Sequence, residues 1–494
     1  MFCRSRKTLN KYFLTLTAAV CAGSMFFCQR LSVSALTETE ERLEAQRAMP
    51  IQSNEIENWP VGPVVGAESA ILMEMETGTI LYAKNIHQQE YPGSTTKIIT
   101  TILATELCGL DEIVSFSHDA VFDNPPGSSG IAMDVGQALT MEQCLNAILI
   151  RSANEVAFAV AEHITGTTDW TVFADMMNRR AAELGALNTH FVNPNGLPDE
   201  NHYTTAYDLA VMSRPFFENE MLCQISLTRR LEIPASDRLP HQKLELSGME
   251  IIPGGKYAYE YLVGCKTGYT SAARSCLVSC AEKNGLKLIC VVLRDEAPYQ
   301  YTDTISLFEY GFSNFQKVNI SQAETKYSIE NTGLFYRGND ILGSSRPFLA
   351  LDNQAYIVFP MTASFEDLES TISYDTDFED QAASITYSYH GVALGSVGVN
   401  FVNGENVTHL FGMILNTDTD AVKAPEESPI IFIDVSMILA VLAIIAVLVL
   451  IGLLLHSVLK NYAFFGTPRK KKHENNRWRS RKSRSGSEFK DYEL

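Results

Sequence analysis

The sequence predicts an α+β fold (α/β in the broad sense): an antiparallel sheet carrying a helical cluster, then a small C-terminal all-β domain and a C-terminal transmembrane helix. Three observations predict it. Strand-like alternation at residues 70–82 gives way to helical periodicity from Thr95 to Leu184, and strands return at residues 261–293. That order suits one sheet closed by both flanks of a domain. From about Gln316 to Leu410 the chain is strand-like and turn-rich, without helical periodicity. Val435 to Leu455 is an apolar run without a charge, long enough to span a bilayer as a helix.

Taken in order, residues 1–35 read as a signal peptide. Arg4, Arg6, Lys7 and Lys11 precede an apolar run around Tyr12 to Phe27, and Val33-Ser34-Ala35 supplies a small-x-small cleavage pattern. Residues 36–64 begin polar and Glu-rich and read as a linker. The main domain spans 65–315. It opens with a hairpin, Ala70 to Met75 and Ile80 to Tyr82 around Glu76-Thr77-Gly78-Thr79. Helices are expected at about Thr95–Leu107, Met141–Ile150, Glu155–Ile164 and Trp170–Leu184. Strands follow at Tyr261–Tyr269, Ser275–Glu282 and Leu286–Leu293, the last two joined by Lys283-Asn284-Gly285, and a helix near Tyr301–Asn314 ends the unit. Residues 316–412 form the β-rich domain, with its clearest hairpin turning at His390-Gly391. A spacer (413–434), the membrane helix (435–457) and a basic tail (458–494) complete the chain. Arg469-Lys470-Lys471-Lys472 follow the apolar run, so the tail is expected inside and the bulk of the chain outside a cell membrane.

The 494 residues carry a formal charge of −19 although both ends are basic. The intervening chain is therefore strongly acidic, which argues against nucleic acid as a partner. Seven cysteines lie between the signal and the membrane run: Cys108, Cys144, Cys223, Cys265, Cys276, Cys280 and Cys290. An odd number, several within apolar runs, does not read as a disulfide framework. With no CxxC and no HExxH, neither a metal nor a cofactor is expected.

Three short motifs carry chemistry. Ser94-Thr95-Thr96-Lys97 follows Pro92-Gly93 and precedes an apolar helical run, so hydroxyl and amine fall one turn apart on one face. A desolvated lysine can take a serine's proton, and a helix N-terminus favours developing negative charge. Alone, SxxK is a common coincidence. Ser152-Ala153-Asn154 lies between two helices and can relay a proton and hold a substrate backbone, although a serine there is more often an N-cap. Lys266-Thr267-Gly268, followed by Tyr269, sits on a strand, where the lysine and a hydroxyl suit a carboxylate and the glycine admits a close backbone. An edge-strand lysine beside a turn glycine is the plainer reading of that motif alone.

Together, in this order and on these elements, SxxK, SxN and KTG reverse those odds. The sequence resembles the D-alanyl-D-alanine carboxypeptidases of the low-molecular-mass penicillin-binding proteins. The likeness extends to Thr77-Gly78-Thr79-Ile80-Leu81-Tyr82, to the run Phe191 to Leu197, to His202 through Ala210 and to Gly264 through Thr270. It implies a penicillin-binding, β-lactamase-like catalytic domain. By position, it also implies Ser94 as nucleophile, Lys97 as base, and Ser152 and Asn154 in proton transfer and positioning. Lys266 and Thr267 would hold the terminal carboxylate beside Gly268, and the amides of Ser94 and Tyr269 would form the oxyanion hole. The implied partners are a peptidoglycan stem ending in D-Ala-D-Ala and β-lactam inhibitors.

Two positions depart from the family pattern: Asn195 where histidine is frequent, and Glu155 where aspartate is. Neither occupies a catalytic slot. A β-lactamase would need a glutamate placed for deacylation, and Glu183 stands one residue too far from Leu187-Asn188. The sequence leaves open a D,D-endopeptidase acting on cross-links with the same site, or a weakly catalytic penicillin-binding module.

Overall fold

Strand β1 (Ser69–Glu74) is buried along its whole length, because the sheet it belongs to is covered on both faces. It pairs with β2 (Ile80–Lys84) across the Gly78 turn and with the last strand of the domain, as the alternation at 70–82 predicts. Next come the helices of the cluster: α2 (Lys97–Leu107), α3 (Met141–Ile150), α4 (Asn154–Thr165) and α5 (Trp170–Glu183). They follow α1 (Glu38–Arg47). The chain then returns to the sheet as β3 (Leu262–Thr270), β4 (Arg274–Lys283) and β5 (Leu286–Asp295) before α6 (Tyr299–Asn314). The five strands lie in the order β2-β1-β5-β4-β3, all antiparallel. Asn284 and Gly285 take positive φ in the β4–β5 turn, the two-residue geometry that suits the sheet's twist.

This computed structural model describes residues 37–125, 127–233, 249–327, 349–375 and 381–401, and the backbone of 242–245. The expected signal peptide, spacer, membrane helix and basic tail lie outside the described residues, as do residues 402–412 of the β-rich segment. Among the described residues, no helix is long and apolar enough to cross a membrane.

Alternate residues of β1 enter different cores. Ile71 and Met73 join Val278, Cys280, Ile289 and Val291 under the helical cluster, whereas Ala70 and Leu72 join Leu277, Leu288, Cys290 and Val292 beneath α6. The sheet is thus the middle of three layers. Helix α2 is surrounded by the other helices of the cluster: from Lys97 to Ala104 every residue is buried, so this helix is enclosed rather than amphipathic.

Residues 315–401 contribute β6 (Phe315–Asn319), β7 (Leu349–Leu351), β8 (Tyr356–Pro360), β9 (Glu369–Ser373), β10 (Gln381–Tyr389) and β11 (Val392–Phe401). A β6–β8 pair accompanies a four-stranded sheet in the order β7-β11-β10-β9. Ile357, Ile385, Tyr387 and Leu394 share the apolar cluster of the main sheet's second face. Tyr356 donates to Glu74 and Thr79 donates to Leu394 O, both at 2.8 Å.

The reading of 36–64 as a linker is corrected. Thr37 and Glu40 form a capping box that starts α1. Arg42 pairs with Glu296 at 2.6 Å, and Gln46 donates to Arg294 O. Buried Lys84 donates to Gln46 O and Val65 O, and Trp59 donates to Leu81 O. Glu-rich composition conceals these contacts because only Leu43 and Gln46 of the helix are buried.

Candidate active site

The segment Pro92-Gly93-Ser94-Thr95-Thr96 makes a 3-10 turn that runs directly into α2, so Ser94 sits one turn before Lys97. Lys97 is fully buried, and its Nζ lies 3.1 Å from Ser94 Oγ, 2.7 Å from Asn154 Oδ1 and 2.7 Å from Asn195 O. Burial holds its pKa well below the usual lysine range. The charge of Lys266 adds to that, and Glu155 opposes it. A neutral amine has two hydrogens and one lone pair. Asn154 and Asn195 accept the hydrogens, which leaves the lone pair facing the Ser94 hydroxyl.

Ser152 follows α3 with φ of +56°, a left-handed conformation costly for a serine. It does not cap the next helix: the N-cap of α4 is Ala153, without a side-chain cap. The Ser152 hydroxyl instead accepts from Lys266 Nζ at 3.1 Å. Asn154, first residue of α4, keeps its side chain for Lys97 while its N–H donates to Ser129 O at 2.9 Å. Lys266 is also buried, and burial lowers its pKa to about 8. It donates as well to Thr267 O at 2.7 Å, while the Thr267 side chain is half-buried and Tyr269 exposed.

Strand β3 approaches the serine turn so closely that a Cβ on Gly268 would stand 2.7 Å from Pro92 O and 3.1 Å from Ser94 N. Only glycine allows this approach, which draws the amides of Ser94 and Tyr269 toward one another. All eight residues singled out in the sequence are therefore gathered along the α2 N-terminus, the α3–α4 junction and one edge strand.

Several contributors escape the motifs. Asn195 enters the site through its main-chain carbonyl. The Asn193 side chain holds that loop by accepting from Asn195 N and Gly196 N, and Thr100 donates to Pro194 O at 2.6 Å. Gly196 has φ of +85°, and a Cβ there would fall 1.8 Å from Gly93 O. His202 is buried, and its pKa is driven down to about 3 chiefly by burial. Its Nδ1 accepts from Val192 N, so the neutral ring carries its proton on Nε2 and donates to Thr96 Oγ1 at 2.9 Å; Thr96 donates onward to Gly93 O. Glu155 does not face the serine: it accepts from Ile131 N at 2.6 Å and ties the 129–131 segment to α4.

A buried lysine aimed at a serine, a second lysine–serine pair beside it and two converging amides define a serine acyl-transfer site without a catalytic histidine. A family model for D-alanyl-D-alanine carboxypeptidase matches residues 57–297. The chain is 30% identical over 306 residues to the D-alanyl-D-alanine carboxypeptidase DacD of Escherichia coli, covering 58% of this chain and 74% of that protein. It is 31% identical over 258 residues to DacF of Bacillus subtilis, where the match covers 51% of this chain and 63% of the relative. Penicillin-binding protein 5 from Haemophilus influenzae shares the fold, with a TM-score of 0.53 at 22% identity over 70% of this chain and 98% of that one. The chain belongs to the D-alanyl-D-alanine carboxypeptidase family, and it is a serine-type enzyme of the low-molecular-mass penicillin-binding class.

Proposed function

We propose that this chain removes the terminal D-alanine from peptidoglycan pentapeptide stems through an acyl-enzyme on Ser94. The observation that carries this reading is the Lys97 amine, buried and held by two fixed acceptors, 3.1 Å from the serine hydroxyl.

In the proposed course, the substrate's terminal carboxylate pairs with Lys266 and the Thr267 hydroxyl. Ser94 gives its proton to Lys97 as its oxygen bonds to the carbonyl carbon of the penultimate D-alanine. The oxyanion is met by the N–H groups of Ser94 and Tyr269, which become complementary only as charge develops. The carbon–nitrogen bond then breaks as Lys97 returns its proton through the Ser152 hydroxyl to the departing amine, releasing D-alanine and leaving Lys97 neutral. Asn154 and Asn195 keep Lys97 oriented throughout. Water attacks the ester next, with Lys97 again accepting a proton and handing it to Ser94 Oγ as the ester bond breaks, which regenerates the enzyme. A β-lactam would acylate the same oxygen.

Export through residues 1–35 and anchorage through 435–457 belong to the same proposal. They are supported by the uncharged run at 435–455 and the basic residues after it. Residues 316–412 would form a small β-domain between the catalytic part and the membrane. The deciding assay is D-alanine release from a diacyl-Lys-D-Ala-D-Ala peptide by the full-length protein, beside Ser94→Ala. Release that disappears in the variant supports the proposal. A protein that binds labelled penicillin yet releases no D-alanine overturns it, and digestion of cross-linked peptides then separates an endopeptidase from a binding module.

A further inference from the structure

Three side chains of unlike chemistry converge far from Ser94, where two site-bearing helices end. Helix α2 begins with Lys97 and α4 with Asn154, joined across 2.7 Å. At the opposite ends, Cys108 is the C-cap of α2, and His163 lies in the last turn of α4. Eleven helical residues separate the two ends of α2 by about 16 Å. Glu112, in the turn that follows, places Oε2 2.8 Å from His163 Nε2, while Oε1 accepts from Gly109 N at 2.6 Å. The Cys108 thiol, the Glu112 carboxylate and the His163 ring nitrogen all lie within 4.8 Å of one another.

We propose that Cys108, Glu112 and His163 form a zinc-class divalent metal site that clasps the far ends of the two helices whose near ends carry the catalytic groups. The donor set selects the metal: thiolate and imidazole favour zinc or cobalt over calcium and magnesium. Around a tetrahedral zinc, with bonds of about 2.0–2.3 Å, ligand atoms stand roughly 3.3–3.7 Å apart. The cluster needs a closure of up to about 1.3 Å for sulfur and a widening of about half an ångström between Glu112 and His163. Gly109 fixes the carboxylate in advance, which is what a supporting hydrogen bond does for a metal ligand. On binding, the thiol proton leaves to solvent and the imidazole proton moves from Nε2 to Nδ1, so affinity falls as pH falls. A surface Glu–His pair needs no thiol, and Cys108 is what sets this cluster apart. Of the seven free cysteines in the described residues it alone is not buried, so it is the one that an incoming ion meets. The spacing is silent in sequence because the three ligands come from two helices and a turn, 4 and 51 residues apart.

The test uses the full-length protein titrated with cobalt(II). The expected result is a thiolate-to-cobalt charge-transfer band that saturates at a single equivalent and is displaced by zinc. It should be lost in Cys108→Ser and shifted to at least about tenfold weaker binding in Glu112→Gln and His163→Ala. Zinc should also raise the melting temperature of the parent and not that of Cys108→Ser. Labelled penicillin confirms that each variant is folded, since the cluster is remote from Ser94. A folded parent without a thiolate band, or a band that survives Cys108→Ser, overturns the proposal.

Discussion

Replacing Asn154 by aspartate keeps the shape of the side chain and turns a neutral acceptor into an anion beside the proposed base. Asn154 Oδ1 is 2.7 Å from Lys97 Nζ, and both residues are buried. At an effective dielectric constant of about 20, opposite charges at that separation attract by about 6 kcal/mol, equivalent to about four pKa units. The aspartate also bears its own cost of burial, so a rise of at least about two units is expected for Lys97. An anion favours the ammonium form, and at pH values below the pKa each unit of rise lowers the neutral fraction tenfold. Acylation by a chromogenic β-lactam, followed by stopped flow from about pH 5 to about pH 10, reads the free enzyme's titration. For Asn154→Asp the acid limb should move up by about two units or more, and at any pH on the parent's own acid limb the rate should fall about a hundredfold or more. Asn154→Ala adds no charge and should leave the limb nearly in place. A variant that loses the same factor at every pH, with its acid limb unmoved, would refute Lys97 as the titrating base.

Other perturbations test separate parts of the site. Gly268→Ala forces a Cβ to 2.7 Å from Pro92 O and 3.0 Å from Thr95 N, so strand and serine turn must separate; kcat/KM should fall about a hundredfold while circular dichroism stays unchanged. Thr96→Val interrupts the His202–Thr96–Gly93 chain and strands buried polar groups. Chemical denaturation should show a loss of about 1–3 kcal/mol, with kcat falling more than KM rises, and Thr96→Ser should restore both. Glu90, buried near Glu68, has its pKa raised to about 7, mainly by burial. Its folded-state value exceeds the unfolded one, so its stabilising effect is complete below the ordinary carboxylate pKa and is lost as pH rises through about 7. Glu90→Gln should therefore raise stability at about pH 8, by up to about 3 kcal/mol, and change little at about pH 4.

Much of this architecture is legible because local signals agree with the final packing. Helix α3 begins and ends where its periodicity says, since Thr140 and Gln143 form a capping box at its start. The Asn284-Gly285 and His390-Gly391 turns show in sequence because both residues of each pair take positive φ. The proposed catalytic groups are legible for a different reason: each motif is short, and its spacing matches one local element. What stays hidden depends on long-range contact. Nothing near Asn195 marks its carbonyl as a partner of Lys97, because any residue type supplies a carbonyl. His202 acts only through Thr96, 106 residues earlier. Helix α1 escapes because its docking rests on Arg42 and Gln46 reaching Glu296 and Arg294, groups more than 240 residues away.

The two buried lysines raise a question that the geometry helps to answer. Lys266 is the second cause of the lowered Lys97 pKa, after burial. In the proposed complex a substrate carboxylate paired with Lys266 offsets that charge, which alone would return Lys97 toward its protonated form. The same substrate excludes water, which acts in the opposite direction. Lys97 stays a base in the complex only if desolvation outweighs repulsion. Lys266→Met tests this ordering, because it removes the repulsion and leaves the burial. It should cost about 10- to 100-fold in kcat/KM through the lost carboxylate contact. It should also abolish an alkaline limb near pH 8, where the parent's Lys266 loses its charge. Its acid limb should move upward by no more than about one unit, well short of the Asn154→Asp shift. A shift as large as that of Asn154→Asp would mean that the neighbouring charge, and not the dry environment, keeps Lys97 ready to take the serine proton.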